Sequence, residues 1–501
     1  MNRLCSVVLS CVTLLLIALS LNTRPIGYLH SWNQITGLVH ISALTRDLAL
    51  WNKPHDVVTR LPAPGRTIQT SEPLNDFRLY EEAPVYHILS AIVSRLAAVT
   101  PENAGRFVSL VFWGIGAVGM YQLGSIGTQP LVSTISLLLY CCSFPIAYYG
   151  VAIMSDMSMA SMWIWSLVYI GRRERHGSFL YTLIALVFAG LSGVCKSYGL
   201  IALIPPIAYE ALRVQRRVPG ARLRELAATI FVAMLAAIPT LSWHAYALMQ
   251  PGHQELQSHS LALKLRSLAS LSLLNTLQKS YFRYLSYVPG GVALLASIAW
   301  IRGRGWHGIP TSLWIACGAM IVFLITTAEK LAHHDYYFLM PAAPLFVIVA
   351  TVLVHTARLL PHRIRLLALC SLIASMAVPS FLNLTKALKE HADVSQCATL
   401  VSSHTPSHEL LATYSDVARY NSITYYAARF AVRVEDTEFP IKRYRAAGAT
   451  TLVVDLPPPQ LAEFDSWLTP QNATNLISSV EGVDYKGQPR VCKLYRLLET
   501  H

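Results

Sequence analysis

Charge is scarce in this 501-residue chain. Only 13% of residues are Asp, Glu, Lys or Arg, about half the share usual in soluble domains. That scarcity excludes a soluble enzyme. With 53% hydrophobic residues and a mean hydropathy of +0.43 it also excludes a disordered chain. Glycine, at 26 residues, is too sparse for a collagen-like fibre. No repeat of solenoid period is visible, no low-complexity linker interrupts the chain, and none of the nine cysteines stands in the CxxC spacing of a zinc site. Acidic residues number 27 against 40 basic ones, a formal charge of +13. Lys and Arg retained in cytoplasmic loops account for such an excess, so no nucleic-acid partner is expected.

What is abundant is apolar sequence in runs of bilayer length, about 17–25 residues. Candidate spans cover residues 4–22, 107–123, 131–150, 157–171, 179–195, 200–212, 227–248, 288–301, 309–327, 338–354 and 366–384. The expected fold is therefore a polytopic α-helical membrane protein with about eleven transmembrane helices. A further apolar stretch, 85–99, contains His87 and Arg95 and suits an interfacial segment as well as a span. The basic clusters around Arg172, Arg173 and Arg175, Arg213 to Arg224, Arg302 and Arg304, and Arg358 to Arg365 decide the matter. All four fall on the cytoplasmic side if the N-terminus is cytoplasmic and 85–99 does not cross. The N-terminal run also reads as a signal peptide ending in Ala18-Leu19-Ser20, with the same topology.

On this reading residues 23–84, 250–289, 328–337 and the tail lie outside the cytoplasm. Domain boundaries are expected at 1–384 for the membrane part and 385–501 for a small α/β domain. The tail has β-branched stretches at 450–455 and 491–495, with helix-like stretches at 416–430 and 459–468. Seven cysteines sit in apolar runs and read as small buried hydrophobes. Cys397 and Cys492 lie in the tail and would pair in an oxidising compartment.

Chemistry is to be sought on the outer face. The first outer loop, 23–84, is long enough to be functional. It opens with His30-Ser31-Trp32-Asn33-Gln34 and closes on Glu82-Ala83-Pro84-Val85-Tyr86-His87, a set suited to a polar lipid head group; the alternative is an aromatic belt with solvated charges. Asp156 stands between two spans, where an ionisable group is a functional candidate or, with Ser155, a helix cap. Lys196 sits at an outer helix end, against the positive-inside bias; it suits an anionic ligand such as a lipid phosphate, or snorkels. His333 and His334 lack an evident third metal ligand, so His334, Tyr336 and Tyr337 read as phosphate contacts or interfacial anchors, and no metal or cofactor is expected.

The order of these pieces resembles the GT-C glycosyltransferases related to protein mannosyltransferases and the lipid A aminoarabinose transferase (glycosyltransferase family 39). The likeness lies in one span, a long outer loop with an HxWxQ-like opening and an E-x-P-x-Y close, an Asp after an apolar pair, a K-x-x-G-L element (Lys196 to Leu200) and H-D-Y-Y-x-L-x-P (His334 to Pro341). It covers about residues 1–384. It implies transfer of a sugar from a polyprenyl-phosphate donor to a glycan, lipid or protein acceptor, outside the inner (plasma) membrane and so in the cell envelope. One departure matters: Ile35 and Thr36 stand where such enzymes carry an acidic residue. Glu82 or Asp156, with His30 in reserve, is then expected as the base, with Lys196, His334, Tyr336, Tyr337, Trp32 and Gln34 binding substrate. Two alternatives stay open: a flippase or transporter of a lipid-linked sugar, and a non-catalytic homologue that binds a polyprenyl lipid.

Overall fold

The computed structural model describes residues 3–20, 31–49, 58–59, 82–126, 130–215, 220–248, 278–279, 281–285, 290–291, 309–333, 335–388, 392–415, 419–434, 441–468, 474–484 and 488–498. The membrane part opens with α1 (Arg3–Ser20), α2 (Ser31–Arg46) and the two-residue strand β1 (Val58–Thr59). It continues through α3 (Val85–Ala97), α4 (Pro101–Gly124), α5 (Pro130–Cys142), α6 (Phe144–Tyr149), α7 (Asp156–His176) and α8 (Leu180–Cys195). A 3-10 turn, Ser197–Leu203, leads to α9 (Ile204–Gln215) and α10 (Gly220–Leu248). After α11 (Thr311–His333) a second 3-10 turn, Asp335–Phe338, precedes α12 (Leu339–Ala357) and α13 (His362–Ala387).

Local signals explain several boundaries. Thr100 caps α4 by accepting from the Asn103 amide at 3.3 Å, with Pro101 in the first turn and Glu102 complementing the helix dipole. The expected span 131–150 is broken at Ser143, because Pro145 cannot continue α5 and instead opens α6. Conversely, α11 runs through residues 328–333, expected as outer loop.

Among the described residues four helical segments are long and apolar enough to cross a membrane; three match α4, the bulk of α10 and α12, and the fourth begins in α13. The apolar window of α12 is 83% buried and that of α10 only 17%. A helix apolar all round and buried belongs at the centre of a bundle. One that leaves Phe231, Met234, Leu235 and Ile238 uncovered has a lipid-facing surface. The central helix α7 is buried despite Ser158, Ser161 and Ser166, two of which bond to carbonyl groups.

The tail adds α14 (Ala392–His404), β2 (Leu410–Ser415), α15 (Tyr420–Tyr426), β3 (Phe430–Arg433), α16 (Ile441–Ala446), β4 (Ala449–Leu456), α17 (Pro458–Leu468), β5 (Thr474–Val483) and β6 (Pro489–Leu497). The sheet order is β1-β3-β2-β4-β6-β5, parallel from β1 to β4 and antiparallel through β6 and β5. The run Leu452 to Leu456 is wholly buried, as a central parallel strand must be. Arg419 ties the layers together, donating to Asp393 and Asp455 at 2.6 Å each. Cys397 of α14 and Cys492 of β6 form a disulfide.

Candidate active site

Four elements bring their ends together at one end of the bundle. Glu82 precedes α3, Asp156 opens α7, Lys196 ends α8, and Tyr336 and Tyr337 lie in the turn before α12. The Lys196 ammonium donates to both oxygens of Asp156 at 2.7 Å and lies 3.2 Å from Glu82 Oε1. Tyr198 donates to Asp156 Oδ1 at 2.8 Å, and the Ser155 hydroxyl donates to Glu82 Oε2. Burial alone would lower the Lys196 pKa, but Asp156 and Glu82 outweigh it and hold the ammonium well above the ordinary lysine range. Two carboxylates and one ammonium leave a net charge of −1.

The cluster is walled by rings. Lys196 sits 4.5 Å from the centroid of Tyr336, a cation–π contact, and Tyr336 stacks on Tyr337 at 4.9 Å. Gly199 is required here, since a Cβ would collide with the Ser192 carbonyl oxygen where the 3-10 turn folds back on α8. Beside Tyr337, Phe338 helps to line an apolar cavity of about 450 Å³, together with Tyr281, Phe282, Met320, Leu324 and Leu345.

Exposure separates the two carboxylates: Asp156 is 0% exposed, whereas the Glu82 side chain is 21% exposed. Glu82 alone of the pair meets the outside. Asp156 spends its oxygens on Lys196 and Tyr198 rather than capping α7. Lys196 neither snorkels nor faces an open anion site, because three carboxylate oxygens surround its ammonium.

Gln34 lies next to the cluster rather than in it. Its amide donates to the Tyr148 hydroxyl at 2.9 Å and accepts from the Ile153 amide at 3.1 Å, so it holds the turn that leads into Asp156. Arg106 and Ser109 hold the same turn, donating to the Val151 carbonyl at 3.0 Å and the Ala152 carbonyl at 2.6 Å. Sequence reasoning missed both; the one available signal was an arginine directly beside an apolar run. Ile35, in place of the acidic residue, is fully buried in an apolar cluster with Leu38 and Ile41. His30 and His334 lie outside the described residues, as does the side chain of Trp32. Among the described residues no group of three or more His, Cys, Asp or Glu could hold a metal ion.

Toward the opposite end of α7, 17 residues and so about 26 Å from Asp156, Arg173 is buried. It donates to Glu210 at 2.7 Å and to Glu225 at 2.6 Å. The acidic site and the basic cluster thus occupy opposite ends of one helix.

An apolar helical bundle with an ion-paired acidic site at one end and a small appended sheet has the GT-C architecture. The family model for dolichyl-phosphate-mannose-protein mannosyltransferase matches residues 81–243, the segment that carries Glu82, Asp156, Lys196 and Tyr198. No curated protein matches the chain. Among solved structures, ArnT from Cupriavidus metallidurans in the apo state is similar over 97% of both chains, at 12% identity and a TM-score of 0.60. The same protein bound to undecaprenyl phosphate gives 12% identity and 0.57 over 98% of this chain and 97% of that one. Archaeal oligosaccharyltransferase AglB from Archaeoglobus fulgidus, solved with an inhibitory peptide and a dolichol-phosphate, gives 12% and 0.60 over 97% of this chain and 74% of that one. These likenesses show that the chain has the GT-C fold.

Proposed function

We propose that the protein transfers a sugar from a polyprenyl-phosphate donor to an acceptor on the extracytoplasmic face of the inner membrane. The observation that carries this reading is the Glu82–Lys196–Asp156 cluster opening beside an apolar cavity at Phe338. The turn Asp335–Phe338 links the two, with Tyr336 against Lys196 and Phe338 lining the apolar cavity, and Glu82 is the partly exposed carboxylate of the cluster. The family-model match and the binding of undecaprenyl phosphate by ArnT support a lipid-phosphate donor. The disulfide supports an extracytoplasmic tail, since such bonds persist in oxidising compartments. The division at about residue 384 and the topology of about eleven crossings are part of the same proposal.

In this mechanism the acceptor hydroxyl attacks the anomeric carbon while Glu82 takes its proton. The bond from that carbon to the phosphate oxygen breaks, and polyprenyl phosphate leaves as an anion. One in-line displacement inverts the anomeric centre. Lys196, itself fixed by Asp156, and Ser155 hold Glu82 in place, and Tyr336 and Tyr337, with His334, take the phosphate. Glu82 thereby substitutes for the carboxylate absent at Ile35. Membranes carrying the protein, offered a panel of labelled polyprenyl-phosphate sugars, should move label from one donor into a lipid, glycan or protein fraction. Glu82→Gln should reduce that transfer at least about a hundredfold. Donor binding without transfer across the panel would favour the lipid-binding homologue instead.

A further inference from the structure

The tail is fastened to the first outer loop at several points. Strand β1 pairs with β3, Val58 beside Ala431 and Thr59 beside Val432. The Tyr425 hydroxyl, on α15, lies 3.2 Å from Ser42 Oγ on α2. The rings of Tyr425 and Tyr426 pack on the cluster formed by Ile35, Leu38, Ile41 and Ile153.

Helix α2 in turn grips the turn before Asp156. Gln34 bonds the Ile153 amide and the Tyr148 hydroxyl. Gly37 lets the helix approach so closely that a Cβ there would stand 3.1 Å from the Ile153 carbonyl oxygen. Two residues after Ile153, Ser155 donates to Glu82, and the next residue is Asp156. Every step from the tail to the carboxylates is thus a direct contact between packed groups.

We infer that the C-terminal domain is a positioning element of the membrane site, acting through Tyr425 and Gln34: docking of α15 on α2 sets the 150–155 turn, and the turn sets Ser155 and Asp156 against Glu82 and Lys196. The inference deepens the transferase reading and rests on it for its kinetic readout. Tyr425 and Gln34 are positioning residues and touch no reacting atom.

The test uses the full chain in proteoliposomes, with Tyr425→Phe, Tyr425→Ala, Gln34→Met and the Tyr425→Ala/Gln34→Met pair. Tyr425→Ala should lower kcat about tenfold with KM for the donor within about twofold, as expected for misplaced groups. Tyr425→Phe, which keeps the ring packing, should restore most of it. In the Gln34→Met background Tyr425→Ala should cost less than about twofold more, the non-additivity of residues acting on one path. A full second tenfold loss, or a change in KM alone, would overturn the inference. A second arm needs no sugar transfer. With free cysteines replaced by Ala and Ser155→Cys as reporter, thiol labelling should quicken several-fold in both single variants and no further in the pair. If labelling does this while the unaltered chain transfers no sugar, the transferase reading fails and the positioning inference stands. Labelling unchanged by Tyr425→Ala overturns the inference whatever the activity.

Discussion

Glu82 and Asp156 are chemically alike, and position alone gives them different work. Asp156 is sealed against Lys196 and Tyr198, so removing its charge leaves the ammonium with one carboxylate neighbour instead of two. We therefore expect Asp156→Asn to lower kcat through displacement of Glu82, with Asp156→Glu recovering part of it, whereas Glu82→Asp should recover little. Steady-state transfer rates for these three variants and Glu82→Gln check this. His87 supplies a pH prediction. Burial, then the nearby Lys196 charge, push its imidazole down to about 4, against about 6.5 unfolded. Between those values the unfolded chain binds the proton that the folded chain refuses, so stability falls as pH drops from about 6.5 to about 4 and levels off below. Thermal midpoints in detergent should show this slope, and His87→Phe should flatten it. Most of the cluster was legible in the sequence, because ionisable residues beside apolar runs are expensive enough to stand out. The pairing of Lys196 with Asp156 was not, since 40 residues separate them and nothing local records which end of which helix meets which.

At the scale of elements, apolar run length located α12 and α13 to within about four residues and α4 and α10 except for their first six or seven residues, because a bilayer demands length and composition together. It did not separate the buried α12 from the peripheral α10, both of which are apolar enough to span a bilayer. Nor could it show that α7, with its serines and charged C-terminal turn, sits at the centre. The far end of α7 is held by Arg173, whose side chain and that of Glu210 are 1% and 2% exposed. Removing one partner of such a pair leaves a buried charge, a loss of about 3–5 kcal/mol. Arg173→Met should therefore lower the thermal midpoint of the detergent-solubilised protein. The double change Arg173→Met/Glu210→Met should restore much of it, while donor binding at the other end stays unaltered.

The whole molecule joins a helical bundle to a sheet that takes one strand, β1, from the chain between α2 and α3. Val58 and Thr59 are β-branched but too short a run to read as a strand alone; their partner is β3, more than 370 positions away in sequence. The β-branched cores of β4 and β6 were legible, whereas β5 was not: it exposes alternate residues along ten positions with few apolar ones among them. The Cys397–Cys492 bond closes a separation of 95 residues, and its removal should cost the tail about 2–5 kcal/mol. Reduction, or Cys492→Ser, should lower the melting temperature of the tail and, through α15 and α2, depress transfer.

The most direct test of the account is sugar transfer by the purified protein in liposomes, with labelled polyprenyl-phosphate sugars as donors and Glu82→Gln as control. The account predicts one donor consumed, label in an acceptor with inverted anomeric configuration, and no transfer by Glu82→Gln despite unaltered donor binding. Equal transfer by Glu82→Gln and the unaltered chain would contradict it.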